Sequence, residues 1–261
     1  MTYFIVVLGT AGSGKTSLSS VLQSYLLDHQ LDSIIVNLDP AVEELPYEPD
    51  VDVRDYVNAW DLMKKTGLGP NGALIASIDM ILANIEDLKE EVWSYKSNYV
   101  IIDTPGQMEL FAFRQTGPLV LRALIGDAKS VGVFLLDSTF ATQPSNLLSA
   151  LLLAASTHVR VRIPMVCALS KIDLLEPGLV SKIMNMLENP EDLSTEISME
   201  KDARLIWGQD ELLTLLEKLT VFTTIPVSNV SGEGFDDLYA AIQRILAGGE
   251  DYYTEEPSPA L

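Results

Sequence analysis

The sequence predicts an open α/β domain, a mainly parallel sheet with helices on both faces. Three observations carry this. Six short runs dense in Val, Ile, Phe and Thr recur along the chain, and they are continuously apolar rather than alternating. Strands covered on both faces read that way. Stretches with helical patterning separate them, a rhythm that fits parallel strands joined by right-handed crossovers. The first apolar run also passes straight into a Gly-rich loop, and such sheets bind ligands at the carboxyl ends of their strands.

YFIVVL (3–8) is the first strand and 14–29 the first helix. SIIVNL (33–38) is the second strand. Residues 39–98 then exceed the minimal rhythm, with a long acidic loop and helices at 58–66 and 72–95. Asn58 is the expected N-cap of the first of these. YVIID (99–103) is the third strand, followed by a helix at 116–125. VGVFLLD (131–137) is the fourth, followed by a helix at 145–159 with Ser145 as its expected N-cap. PMVCALS (164–170) is the fifth. Residues 178–220 add a helical excursion, 178–188 and 192–218, before FTTIPVS (222–228) and a last helix at 233–247. These elements are expected to form one domain over 1–261, with insertions at 39–98 and 178–220. The tail GGEDYYTEEPSPAL is polar and acidic and is expected to fray.

Hydrophobic residues make up 48% of 261, enough for a sizeable core. The formal charge is -20, from 17 basic and 37 acidic residues. Nucleic-acid binding needs a basic footprint, so that class is disfavoured, as is an anionic membrane surface. An anionic ligand must be held by a local site working against the global field. The single cysteine, Cys167, allows no internal disulfide and reads as a small core residue. The apolar stretch at 147–155 is too short to span a bilayer. The start of the chain lacks the basic region of a signal peptide. The expectation is a soluble cytoplasmic protein.

After the first strand comes GTAGSGKT, Gly9 to Thr16. It fits G-x-x-x-x-G-K-[ST] between a strand and a helix, the context that pattern requires. Gly9, Ala11, Gly12, Ser13 and Gly14 can turn backbone N–H groups towards phosphate oxygens, and Lys15, Thr16 and Ser17 open the helix whose dipole favours an anion. Lys15 can reach the β- and γ-phosphates, and the Thr16 hydroxyl can face Mg²⁺. VIIDTPGQMEL ends a strand with Asp103, where a carboxylate can reach Mg²⁺. Gly106 can offer its N–H to the γ-phosphate and Gln107 can orient an attacking water, with Glu109 as a further helper. Asp39 follows the second strand in NLDPAVEELPYEPDVDVRD, where it can hold a metal-bound water or accept a proton. Arg54 can stabilise charge or pair locally with Asp52 or Asp55. In ALSKIDLL, the Asp173 carboxylate suits guanine N1–H and its exocyclic amine, while the Lys171 stem can lie along the base. Ser228, in PVSNVSGEG, can lie against the base. His29 and His158 are isolated, so zinc is disfavoured. Trp60, Trp93 and Trp207 fall in presumed helices and read as packing residues.

With GTAGSGKT, NLDPAVEELPYEPDVDVRD, GPN, DTPGQMELF and SKID in that order, the chain resembles the GPN-loop GTPases, most nearly an archaeal member. The resemblance covers nearly the whole chain. It implies a Mg²⁺-dependent GTPase of the dimeric (SIMIBI) branch of P-loop proteins, which includes signal-recognition GTPases and MinD-type ATPases. It also implies a dimer in which Gly69, Pro70 and Asn71 reach the phosphate end of the partner's site. Asn71 would then offer donor and acceptor to a phosphate oxygen or to the attacking water. As a bare turn, Pro70 and Asn71 would simply fill its central positions. Eukaryotic members are associated with RNA polymerase assembly, so the resemblance extends to protein clients. Two departures stand out. Ser170 replaces the Asn common in the base motif and is expected to be too short to brace the loop or reach the base. Thr10 and Ala11 stand where many MinD-branch relatives carry an early lysine. A P-loop kinase acting on a hydroxyl acceptor and a nucleotide-gated binding module remain the alternatives.

Overall fold

The structure is a computed structural model, and it describes residues 1–200 and 207–248, without the side chains of Glu109 and Leu110. Its sheet has seven strands in the order β3-β2-β4-β1-β5-β6-β7, every neighbouring pair parallel. The strands are β1 (Tyr3–Gly9), β2 (Ser33–Asn37), β3 (Val51–Asp52), β4 (Tyr99–Asp103), β5 (Lys129–Asp137), β6 (Met165–Ser170) and β7 (Thr224–Pro226). The open parallel fold expected from the apolar runs is the observed one.

β1 shows why those runs are continuously apolar. Phe4, Val6 and Leu8 point into one core and Tyr3, Ile5 and Val7 into the other, all buried. Each strand residue alternates faces, so a strand covered on both sides has no polar face to show. One face is covered by α1 (Lys15–Asp28) and α11 (Phe235–Leu246), which bury Leu18, Leu22, Leu26, Leu238 and Ile242. The other is covered by α3 (Pro70–Ala83), α4 (Ile85–Ser94), α6 (Thr116–Ile125) and α7 (Pro144–Val161). Cys167 lies fully buried there, as expected.

Several expectations are corrected. The acidic loop contains a seventh strand, β3, too short to display a period. The helix expected at 72–95 is two, because Asn84 leaves helical geometry with φ -105° and ψ 18°. Its amide side chain donates to Met80 O, closing the first helix before the second begins. Ser145 is not the N-cap of α7; Gln143 is, with Pro144 at the first helical position. The Ser145 N–H instead donates to the Glu200 carboxylate at 3.0 Å. Asn58 does cap α2 (Ala59–Thr66), accepting from Trp60 N and Asp61 N.

The excursion comprises α8 (Pro177–Glu188), α9 (Pro190–Met199) and α10 (Gln209–Leu219), so the helix expected at 192–218 is interrupted. Residues 201–206 lie outside the described residues, as does the tail expected to fray, beyond Gly248. Trp207 precedes α10 rather than lying in a helix. Trp60 and Trp93 sit on helices and donate their indole N–H to Ala41 O and Leu124 O. No helix among the described residues is long and apolar enough to cross a membrane.

Candidate functional site

The carboxyl ends of β1, β2 and β4 meet at the centre of the sheet, where Val7 and Asn37 both stand in register with Asp103. The loop from Gly9 to Gly14 rises from β1 between them. Two glycines make its path possible. At Gly9, φ is +147°, and a Cβ would come within 2.8 Å of Ser13 Oγ and 3.1 Å of the Leu135 carbonyl. At Gly14, φ is +96°, and it caps α1 in the left-handed region that side chains resist. No side chain caps α1 and no acidic residue stands in its first turn. The amides of its first turn are therefore open to an anion. Lys15, the first residue of the helix, is buried. Its Nζ donates to Gly9 O and Thr10 O at 2.9 Å each, and reaches Gly106 O at 3.5 Å. Ala11 and Ser17 are exposed, whereas Ser13 is fully buried, its hydroxyl without a partner among the described residues.

Asp103 ends β4 and is 1% exposed. Burial pushes its carboxyl up to about 6, against the pull of Tyr47, Thr16 and Lys15. The Tyr47 hydroxyl donates to Oδ2 at 2.8 Å, and burial beside that carboxylate holds the Tyr47 phenol well above its usual range, so the proton stays on it. Oδ1 is buried without a hydrogen-bond partner among the described residues. A buried carboxylate oxygen left open beside the Thr16 hydroxyl fits one side of a hard divalent cation. Among the described residues no cluster of three His, Cys, Asp or Glu could hold a metal alone, so Thr16, Asp103 and phosphate oxygens would have to share it.

Asp39 stands opposite. Its Oδ1 accepts from Ala41 N at 2.9 Å and its Oδ2 from Gly106 N at 3.1 Å. The amide expected to meet a γ-phosphate is thus bonded to a carboxylate. Gln107 follows as the N-cap of α5 (Met108–Phe111), partly exposed and without a side-chain hydrogen bond among the described residues. The Glu109 side chain lies outside the described residues. Arg54 forks onto Asp52, with Nη2 to Oδ2 at 2.6 Å, and also donates to Val42 O and Glu43 O. Burial pushes the Asp52 carboxyl up, but Arg54 and the Asn37 amide outweigh it and hold it below the usual range. Of the two roles open to Arg54, the local pair with Asp52 is the one observed.

The ends of β6 and β7 form the second half. Ser228 Oγ donates to Asp173 Oδ1 at 2.7 Å, which orients the exposed carboxylate. Lys171 extends to Asp137 Oδ2 at 2.7 Å, its backbone in the left-handed region. Ser170 corrects the expectation that it is too short to brace the loop. It is fully buried, and its Oγ reaches Ser13 O at 2.8 Å and Leu136 O at 3.2 Å. Asn229, overlooked in the sequence, adds a second brace from Nδ2 to Gly14 O at 3.2 Å. Tyr47 was overlooked too. Neither has a spacing signal, because both act across long chain separations.

A family model described as "Conserved hypothetical ATP binding protein" matches residues 7–248. The chain is 30% identical over 261 residues to GPN-loop GTPase 3 of Eremothecium gossypii, covering 98% of this chain and 96% of that one. The chain belongs to the GPN-loop GTPase family. It is also 32% identical over 253 residues to GPN-loop GTPase 1 of Dictyostelium discoideum, covering 95% of this chain but only 62% of that longer relative. The crystal structure of a GTPase from Pyrococcus abyssi in apo form is similar across 93% of this chain and 97% of that one, with TM-score 0.81 and 29% identity.

The GPN tripeptide corrects the bare-turn reading. Gly69 is the N-cap of α3, and Pro70 and Asn71 are its first two helical residues. Proline suits that position because its missing N–H would have no helical partner. Asn71 is exposed and its side chain makes no hydrogen bond among the described residues. The structure brings Gly9–Ser17, Asp39, Asp103, Gly106 and Gln107 to one place and Lys171, Asp173 and Ser228 beside it. Among the described residues the Asn71 side chain makes no hydrogen bond to any of them.

Proposed function

We propose that this chain binds GTP with Mg²⁺ and hydrolyses it to GDP and phosphate. In this reading it acts as a dimeric switch in which each copy lends Asn71 to the other's phosphate site. The observation that carries the nucleotide reading is the uncapped first turn of α1 with buried Lys15 beside it, facing Asp103, Asp39 and Gly106. The names of the relatives support guanine and hydrolysis. The Asp173 carboxylate beside Ser228 offers the acceptor that guanine N1–H and its amino group need.

Placement supports the roles in this reading. Loop amides and Lys15 bind the phosphates. Thr16 and Asp103 would hold the cation, which when bound would supply positive charge to neutralise the phosphates. Gln107 orients the water and Asp39 accepts its proton. Asn71, pre-set by Pro70 on a rigid helix end, presents its amide across the dimer. A role in assembling protein complexes completes the proposal.

Asn71→Ala tests it. Affinity for a fluorescent GTP analogue should stay within about twofold while kcat falls about 100-fold, the size expected for one transition-state donor. Equal loss of both would remove Asn71 from the mechanism.

A further inference from the structure

Tyr47 has no part in the roles above, yet its position is specific. The two oxygens of Asp103 have different fates. Oδ2 takes the Tyr47 hydroxyl at 2.8 Å, and Oδ1 has no partner among the described residues although it is buried. A carboxylate turns easily about its last torsion, whose preferences are broad and two-fold. One short hydrogen bond from a fixed phenol removes that freedom and selects which oxygen faces outward. The Tyr47 ring is fixed because it packs, half-buried, against the core under α1 and α11.

The loop delivering Tyr47 is fastened on both sides. Asp39 holds its start, through Ala41 N and Gly106 N. Arg54 fastens it to Asp52 while gripping the carbonyls of Val42 and Glu43. Ala59 N bonds Pro40 O at 2.9 Å. The hydroxyl thus arrives from the same loop that supplies Asp39, 56 residues before its acceptor.

We propose that Tyr47 is a positioning residue for the divalent-cation site, holding Oδ2 of Asp103 so that Oδ1 faces the cation. This rests on the reading of Asp103 as a metal-side carboxylate. Partners of this kind fix ligand orientation, and their loss weakens metal affinity about 10- to 100-fold. The rival is a phenol that merely satisfies a buried carboxylate. The two differ in what they do to nucleotide binding without metal.

The test compares wild type, Tyr47→Phe and Asp103→Asn by titrating Mg²⁺ against the affinity for a fluorescent non-hydrolysable GTP analogue, and repeating the affinity in EDTA. Direct Mn²⁺ binding by electron paramagnetic resonance gives a readout independent of the nucleotide signal. Tyr47→Phe should raise the Mg²⁺ half-saturation about tenfold and weaken Mn²⁺ binding to match, with affinity in EDTA unchanged within about twofold. Asp103→Asn should do the same more strongly. If Asp103→Asn shifts the metal dependence and Tyr47→Phe does not, the positioning role is wrong and the metal reading stands. If neither shifts it, the metal reading fails and takes the inference with it. Weakening in EDTA as large as that in Mg²⁺ marks a structural hydroxyl and overturns the proposal.

Discussion

At the scale of single residues, the base half of the site divides one job among several side chains. Ser170 braces Ser13, Asn229 braces Gly14, and Ser228 orients Asp173. Asp173 alone then presents charge to a base. Asp173→Asn exchanges an acceptor for a donor and should weaken GTP at least about 100-fold while relatively favouring xanthosine triphosphate, as competition against a fluorescent nucleotide would show. Ser170→Ala should weaken GTP and inosine triphosphate equally, since it loosens the loop rather than the reading of the 2-amino group. A selective loss of GTP would assign Ser170 to the base instead.

Among elements, the acidic loop and its short strand depend on Arg54. Arg54→Ala leaves the mostly buried Asp52 carboxylate without its fork and should cost about 1–3 kcal/mol, below the value for a fully buried pair because both groups retain some solvent. Chemical denaturation measures this. The pH dependence has a definite sign. The folded Asp52 lies below its unfolded value near 4, so its contribution is complete above about pH 4 and is lost as pH falls through the folded value. Asp52→Asn should flatten the acid limb of the stability curve. This network also marks the limit of what the chain shows when read alone. GTAGSGKT, DTPGQ and SKID were legible because each packs its chemistry into a few residues at a strand end. Tyr47 and Asn229 act over 56 and 215 residues, and nothing local marks such pairings. The Asn84 break was hidden because apolar spacing continues through it. Ser145 misled because Pro144, at the first helical position, set the N-cap two residues earlier, at Gln143.

At the scale of the whole molecule, the charge of -20 opposes an anionic ligand. Raising salt shortens the screening length, so the association rate of GTP should rise, about two- to threefold between 50 and 150 mM, in stopped-flow traces. A fall would mean that local positive groups dominate the approach. The proposed exchange of Asn71 predicts complementation. Lys15→Ala disables its own nucleotide site but still carries Asn71. Mixed with Asn71→Ala in equal amounts, half the dimers should pair unlike copies with one complete site each, restoring about a quarter of wild-type turnover. The bond between Asp39 and the Gly106 amide adds a constraint on any such cycle. One hydrogen cannot serve two anions at full strength. An incoming phosphate that claims this N–H must evict the carboxylate, so the arrival of the ligand and the release of a proton acceptor become a single event.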